Sequence, residues 1–211
     1  MLSVATGPRP AKVEQSDVAT SVGAARVWLD RPRGRSRGLV VLGHGAGGGV
    51  EAADLVAVTA AAIDIGWTVA RVEQPYRVAG RRAPDRAPKL DQAWIEAVAS
   101  VRGRSRLPLV TGGRSMGARV ACRTAASTGA AGVVCLAFPL HPPGKPAASR
   151  ADELAAVAVP VLVVQGERDP FGGPADLPDG PTVVTVADDH SLRRSAARAA
   201  DAVRAWLQMV T

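Results

Sequence analysis

The chain has 211 residues, a formal net charge of +7, and a side-chain composition that is 47% hydrophobic but only 3% aromatic. This length suits one domain with a buried core built mainly from Ala, Val and Leu. The positive charge comes from arginines that are spread along the chain, and aromatic side chains that stack on bases are nearly absent, so we expect no nucleic-acid partner.

The cysteine content and the N-terminal segment indicate in which compartment the protein works. Cys122 and Cys135 are too few for a disulfide framework, and we interpret them as reduced thiols in the core. The opening MLSVATGPRPAKVEQ lacks the apolar stretch of a signal peptide, and no run reaches the roughly 18 apolar residues of a membrane span. We therefore expect a single cytoplasmic domain over 1–211, with 1–11 as a flexible start and no membrane partner, and the oligomeric state stays open.

Hydrophobic periodicity divides the chain into strands and helices. Segments 12–18 and 24–30 alternate like the two strands of a hairpin. From there on, short apolar runs alternate with segments whose apolar residues recur at helical spacing. The predicted strands are 38–43, 67–75, 107–113, 131–139, 159–169 and 181–189. The predicted helices are 50–66, 89–103, 115–127, 150–157 and 191–210.

This alternation predicts the fold class, an α/β protein with three layers. Wholly apolar strands indicate a mostly parallel sheet covered by helices on both faces, and right-handed crossovers make it doubly wound. Reactive groups collect at the carboxyl ends of the strands in such a sheet. Here those ends read GHGAGGG, EQPYR, GGRSMG, FPLHPP, GERDPFG and ADDHS, and they hold nearly every chemically capable residue.

Ser115 lies in a G-x-S-x-G pattern between a predicted strand and a predicted helix. In a glycine-rich chain the pattern alone is weak, and the serine could simply cap the helix. The order of strand, turn and helix is nevertheless that of a nucleophile elbow, where a strained turn exposes the serine. A nucleophilic serine needs a base, and the base needs a third group to orient it.

His190 and Asp169 are the predicted base and orienting acid. His190 follows the last strand, from where it can face a serine in the middle of the sheet. Asp169 ends the preceding strand, and Glu167 remains an alternative acid two residues earlier. His141 is the rival base, which we assign to structure or to the lining of the pocket. The order Ser, Asp, His along the chain is the one that accompanies the elbow motif.

Two backbone N–H groups are predicted to form an oxyanion hole. Met116 begins the helix after the serine, where the helix dipole favours negative charge. Ala46, in HGAGGG, is the most plausible second donor. The same loop could cradle a phosphate, but it lacks both the Lys-Ser/Thr of a P-loop and the spacing of a dinucleotide-binding motif.

Together, HGAGGG, GGRSMGARVA, GERDPFG and ADDHSL resemble the α/β-hydrolases over residues 12–210, and among them the small, lidless members similar to dienelactone hydrolases. The resemblance implies the same roles for Ser115, Asp169, His190 and the two oxyanion donors, with no cofactor and no metal. Dienelactone hydrolases carry a cysteine nucleophile where this chain has serine. The resemblance therefore implies ester hydrolysis and not their particular lactone chemistry.

The arginine-rich loop 77–86 has two interpretations. Its arginines, with Tyr76, could recognise an anionic group, because arginine binds carboxylate or phosphate with two parallel hydrogen bonds. Alternatively, they pair with Asp85 and Glu73 and pin a surface loop. The substrate-binding candidates are Tyr76, Arg77, Arg114, which neighbours the nucleophile, and His141.

The functional hypothesis is a serine hydrolase that cleaves a small carboxylic ester or thioester through an acyl-enzyme on Ser115. The alternative is a non-catalytic protein of the same fold that binds a ligand or partner in the same pocket. About twenty residues separate strands 131–139 and 159–169, where hydrolases of this fold often insert a lid. We therefore expect no large lid, and a shallow, open pocket.

Overall fold

The computed structural model describes residues 13–210, so the expected flexible start at 1–11 lies outside the described residues. The strands are β1 (Glu14–Thr20), β2 (Gly23–Asp30), β3 (Gly38–Gly43), β4 (Trp67–Glu73), β5 (Leu109–Arg114), β6 (Gly132–Leu136), β7 (Val161–Gly166) and β8 (Thr182–Val186). The helices are α1 (Ala53–Asp64), α2 (Pro75–Val78), α3 (Ala87–Arg102), α4 (Met116–Thr128), α5 (Ala151–Ala155) and α6 (Ala196–Leu207), with a 3-10 turn at Pro174–Asp176.

All eight strands belong to one sheet, in the order β1-β2-β4-β3-β5-β6-β7-β8. The hairpin β1–β2 joins the sheet antiparallel to β4, and every later pairing is parallel. Strand β5 lies between β3 and β6, so the end of β5 is near the middle of the sheet. The predicted mostly parallel, doubly wound sheet is confirmed.

Helices cover both faces of the sheet, as the wholly buried strands β3, β6 and β7 require. On one face, α1 and α6 bury Leu55, Val58 and Val203 against the central strands. On the other face, α3 buries Leu90 and Trp94. These are the apolar stripes that the helical spacing predicts, and they fix the three layers.

Several local boundaries differ from the sequence expectation, and three of them have a clear local cause. Strand β4 ends at Glu73 and not at 75, because Pro75 initiates the short helix α2, which extends into the segment interpreted as a loop. Strand β6 ends at Leu136, because Ala137 has a φ of +49° and turns the chain. Helix α6 begins at Ala196 and not at 191, because Leu192 has a φ of +47° that no helix accommodates.

In the described range 13–210, no large lid covers the carboxyl edge of the sheet. The connection from β6 to β7 contains one short helix, α5, and otherwise irregular chain. Over residues 13–210, no helix is long and apolar enough to cross a membrane. The carboxyl ends of β3, β5, β7 and β8 therefore open directly onto one edge of the domain.

Candidate active site

Ser115 occupies a sharp turn between β5 and α4. Its φ of 51° and ψ of −110° are strained for a residue with a side chain. Its N–H donates to the carbonyl of Leu136 at 2.9 Å, which fixes the turn to the neighbouring strand. A Cβ at Gly113 or at Gly117 would collide with the carbonyl oxygen of Gly43. Glycine at these two positions lets the turn approach β3 and exposes the serine hydroxyl.

Ser115, His190 and Asp169 form one line of hydrogen bonds. Ser115 Oγ lies 2.9 Å from His190 Nε2, and His190 Nδ1 lies 2.8 Å from Asp169 Oδ2. An ionised carboxylate only accepts hydrogen bonds, so Nδ1 carries the proton and Nε2 is left to accept one from the serine. The Asp169 side chain is wholly buried, whereas that of His190 is 18% exposed. Three strand ends thus bring together the serine, the histidine and the aspartate that the sequence predicts as nucleophile, base and orienting acid.

The Asp169 carboxylate is itself held by two donors besides His190. Its Oδ1 accepts from the N–H of Phe171 at 2.8 Å, and its Oδ2 accepts from Gln165 Nε2 at 3.0 Å. Gln165 is fully buried at the end of β7 and also contacts both the N–H and the carbonyl of Phe138. Sequence reasoning did not single out Gln165, although a lone polar side chain within the apolar run VLVVQG is a recognisable signal.

The ring of His190 is held on its flank and through its main chain. The Phe171 ring lies against it with centroids 4.2 Å apart. Arg114 Nη2 donates to the His190 carbonyl at 2.7 Å, while Arg114 Nε lies 2.9 Å from Oδ2 of Asp54, a fully buried carboxylate. Burial raises the pKa of Asp54, and the adjacent Arg114 guanidinium opposes that shift. Arg114, predicted as a substrate contact, therefore bridges α1 and the histidine loop.

The alternative acids and bases lie elsewhere. Glu167 is exposed, in contrast to the buried Asp169 two residues on. His141 Nδ1 lies 2.9 Å from the carbonyl oxygen of Pro142, and within residues 13–210 no hydrogen bond joins His141 to Ser115. His44 Nε2 accepts from the N–H of Gln74 at 3.0 Å, so its Nδ1 carries the proton and donates to the carbonyl of Gly45 at 2.8 Å.

Ala46 and Met116 line the same cavity as Ser115. Within residues 13–210, the main-chain N–H of neither has a hydrogen-bond acceptor. Tyr76, predicted as a substrate contact, is fully buried and donates its hydroxyl to the Ala46 carbonyl at 2.9 Å. Burial raises the pKa of Tyr76 to about 12, so this hydroxyl stays protonated and holds the loop. The two N–H groups are thus available to an oxyanion.

The cavity beside Ser115 has a volume of about 260 Å³. Apart from Ser115, Met116 and Ala46, its wall is made of apolar side chains, one carboxylate and three guanidinium groups. The guanidinium groups belong to Arg119, Arg123 and Arg150. The predicted contacts Tyr76, Arg77, Arg114 and His141 are not in this wall.

The arginines of the loop 77–86 and a second cavity complete the surroundings. Arg81 forms a two-pronged ion pair with Asp85, with contacts of 3.0 and 2.6 Å, which fits the interpretation that an arginine pins the loop. A larger cavity of about 500 Å³ lies between α4 and α5 and contains none of the three aligned residues. The described part of the chain has no cluster of three or more His, Cys, Asp or Glu that could hold a metal ion.

A doubly wound sheet with a serine on a strand-to-helix elbow and a histidine after the last strand defines the α/β-hydrolase class. The comparisons with known proteins agree. A family model described as an alpha/beta hydrolase domain matches residues 36–210, and the chain belongs to that family. No curated protein matches the sequence.

Solved structures share the fold along nearly the whole chain. An α/β serine hydrolase without a lid from Xanthomonas campestris is 22% identical, with a TM-score of 0.75 over 95% of this chain and 98% of its own. A dienelactone hydrolase from Anabaena variabilis is 16% identical, with a TM-score of 0.76 over 95% and 99%. An α/β serine hydrolase homologue from Coxiella burnetii is 17% identical, with a TM-score of 0.76 over 92% and 97%. The likeness to lidless, dienelactone-hydrolase-like members is confirmed.

Proposed function

We propose that this chain is a serine hydrolase that cleaves small carboxylic esters or thioesters through an acyl-enzyme on Ser115. The observation that carries the proposal is the line from Asp169 through His190 to Ser115, with contacts of 2.8 and 2.9 Å, which ends in an open cavity. A serine hydroxyl becomes nucleophilic when a correctly oriented imidazole takes its proton.

In the acylation step, Ser115 Oγ attacks the carbonyl carbon while its proton passes to His190 Nε2. The Asp169 carboxylate stabilises the imidazolium that forms and keeps the ring in place. The N–H groups of Ala46 and Met116 donate to the negative oxygen, and the second gains from the dipole of α4. The bond to the leaving group then breaks, and the departing alcohol or thiol takes the proton from Nε2.

In the deacylation step, water attacks the acyl-enzyme while His190 accepts one of its protons. When Ser115 leaves, it recovers that proton from His190, and the free acid departs. A cavity of about 260 Å³ without a large lid favours a small acyl group.

A serine-reactive fluorophosphonate probe tests the proposal. We expect wild type to be labelled and Ser115→Ala to remain unlabelled. Ser127→Ala, a substitution of an exposed serine at the far end of α4, serves as the matched control and should label like wild type. If wild type neither reacts with the probe nor hydrolyses p-nitrophenyl acetate or butyrate, the proposal fails and the alternative of a non-catalytic binding protein gains support.

A further inference from the structure

The wall of the Ser115 cavity contains three guanidinium groups and one carboxylate, that of Asp85, which pairs with Arg81. Arg119 and Arg123 project from successive turns of α4, and Arg150 lies just before α5. The side chains of Arg119 and Arg123 are partly buried, at 26% and 19% exposed. Such a cluster needs negative partners, from the protein or from a ligand.

Two carboxylates of the protein are taken by two of these arginines. Glu153 holds Arg119 with contacts of 2.6 and 2.8 Å, and it also lies 3.3 Å from Arg123. Asp91 holds Arg123 with contacts of 2.6 and 2.9 Å. Both carboxylates are thus paired with arginine side chains of α4.

Arg150 is the third guanidinium, and it lacks a carboxylate partner. Its Nη1 donates to the carbonyl of Pro139 at 2.8 Å, but no carboxylate in the described range 13–210 forms an ion pair with it. Burial lowers the pKa of Arg150, and the like charge of Arg119 lowers it further, while Glu153 opposes both. A ligand anion in the cavity would relieve this repulsion, and the rest of the fork remains available to bind one.

The position of the cavity relative to His190 assigns the side of the substrate. The leaving group must receive its proton from His190 Nε2, so it lies toward that ring. The wall of the cavity contains Ser115, both proposed oxyanion donors and Phe171, which packs against the His190 ring, but not His190 itself. A substrate whose leaving group faces the His190 ring then has its acyl portion in this cavity.

We propose that Arg150, in the cavity wall next to Arg119, forms a subsite for a carboxylate at the far end of the acyl group, so that the preferred substrates are monoesters of short dicarboxylic acids. This inference rests on the proposed hydrolase function and adds its substrate class. A planar guanidinium matches a carboxylate with two parallel hydrogen bonds.

The test compares p-nitrophenyl monoesters of succinic, glutaric and adipic acid with the same compounds carrying a methyl ester in place of the free carboxylate. The readout is the ratio of kcat/KM for each acid to that of its neutral counterpart. Wild type should favour at least one acid by about tenfold or more, the range of a hydrogen bond to a charged group. The preference should fall as salt is added.

Variants of Arg150 provide the decisive comparison. Arg150→Gln should bring the ratio close to one, and Arg150→Lys, which keeps the charge but loses the fork, should retain part of it. Arg106→Gln removes one exposed arginine before β5, at the opposite edge of the sheet, and should keep the wild-type ratio. A wild-type ratio near or below one at every chain length, or an unchanged ratio in Arg150→Gln, would overturn the subsite.

A binding measurement separates this inference from the hydrolase proposal. Calorimetry with monomethyl glutarate on Ser115→Ala and on Ser115→Ala/Arg150→Gln needs no turnover. Binding at least tenfold tighter to the first variant supports the subsite even if wild type hydrolyses no ester. Equal binding to both contradicts the subsite even if wild type is an active esterase.

Discussion

Arg114 Nη2 donates a 2.7 Å hydrogen bond to the main-chain carbonyl of His190, although 76 positions separate the two residues. The other side of the same guanidinium meets the buried Asp54 on α1, with 2.9 Å between Nε and Oδ2. The residue that precedes the proposed nucleophile thus positions the loop that carries the proposed base. The serine turn and the histidine loop are tied together outside the reacting groups.

Replacing Arg114 should therefore slow the reaction without removing a reacting group. We expect Arg114→Gln to lower kcat by about 10- to 100-fold with a smaller change in KM, because a shift of about 1 Å in a catalytic group has that effect. Steady-state kinetics on p-nitrophenyl butyrate measures the split. A variant that changes only KM would indicate a substrate contact instead of a positioning role. Arg106→Gln controls for the lost charge.

The choice between the two acids can be tested with a matched pair of amides. Asp169→Asn should lower kcat/KM by about 1,000-fold or more, because an amide does not hold the imidazole in the required tautomer. Glu167→Gln, at an exposed position two residues earlier, should keep at least half of the wild-type value. Measured losses in the reverse order would assign the role to Glu167.

The strain at Ser115 predicts a difference in stability between two inactive variants. With a φ of 51° and a ψ of −110°, any residue with a Cβ is unfavourable at this position. We expect Ser115→Gly to be more stable than Ser115→Ala by about 1 kcal/mol, because glycine adopts these backbone angles without strain. The difference is at the low end of the usual range for backbone strain, because glycine also gives the unfolded chain more conformations and this offsets part of the gain. Urea denaturation of the two proteins measures the difference. Equal midpoints and slopes would show that the turn is relaxed.

His44 should make the free energy of unfolding depend on pH. Burial lowers its pKa, and the adjacent Arg77 adds to this, although the hydrogen bond to Gly45 opposes both. The unfolded chain then binds a proton near pH 6.5, whereas the folded protein binds it only at a lower pH. Stability is therefore full above about pH 6.5 and falls as the pH drops toward the lowered pKa of folded His44.

The measurement is urea denaturation at several pH values between 7.5 and 5, on wild type and His44→Gln. The two other histidines are present in both proteins, so the difference between the curves isolates His44. As the pH falls, the free energy of unfolding of wild type should decrease relative to that of His44→Gln. Parallel curves would contradict the prediction.

The elements that are long and regular were predictable from the sequence, because burial on both faces imposes apolar strands and amphipathic helices. The residues of the line Ser115–His190–Asp169 were identified in the same way, since parallel strands place their carboxyl ends at one edge. The four-residue helix α2 was not, because it is shorter than two turns and shows no periodicity.

The residues that line the cavity could not be predicted from the sequence. Arg114 is next to Ser115 along the chain, yet the distant Arg150 reaches the cavity and Arg114 does not. That outcome depends on where the chain after β6 returns, which local spacing does not encode. The contact from Arg114 to His190 likewise exists only once the two loops are folded against each other.

The main chain at residues 138 and 139 contacts two side chains that act on different parts of the site. The buried amide of Gln165 binds Asp169 and, on its other side, the main chain of Phe138, while the carbonyl of the next residue, Pro139, receives the Arg150 side chain. The orientation of Asp169, the proposed acid, and the position of Arg150, the proposed acyl-group contact, therefore depend on adjacent peptide units. A substitution that moved this segment would alter turnover and selectivity together, so an attempt to redesign the substrate preference of this protein should leave residues 138 and 139 in place.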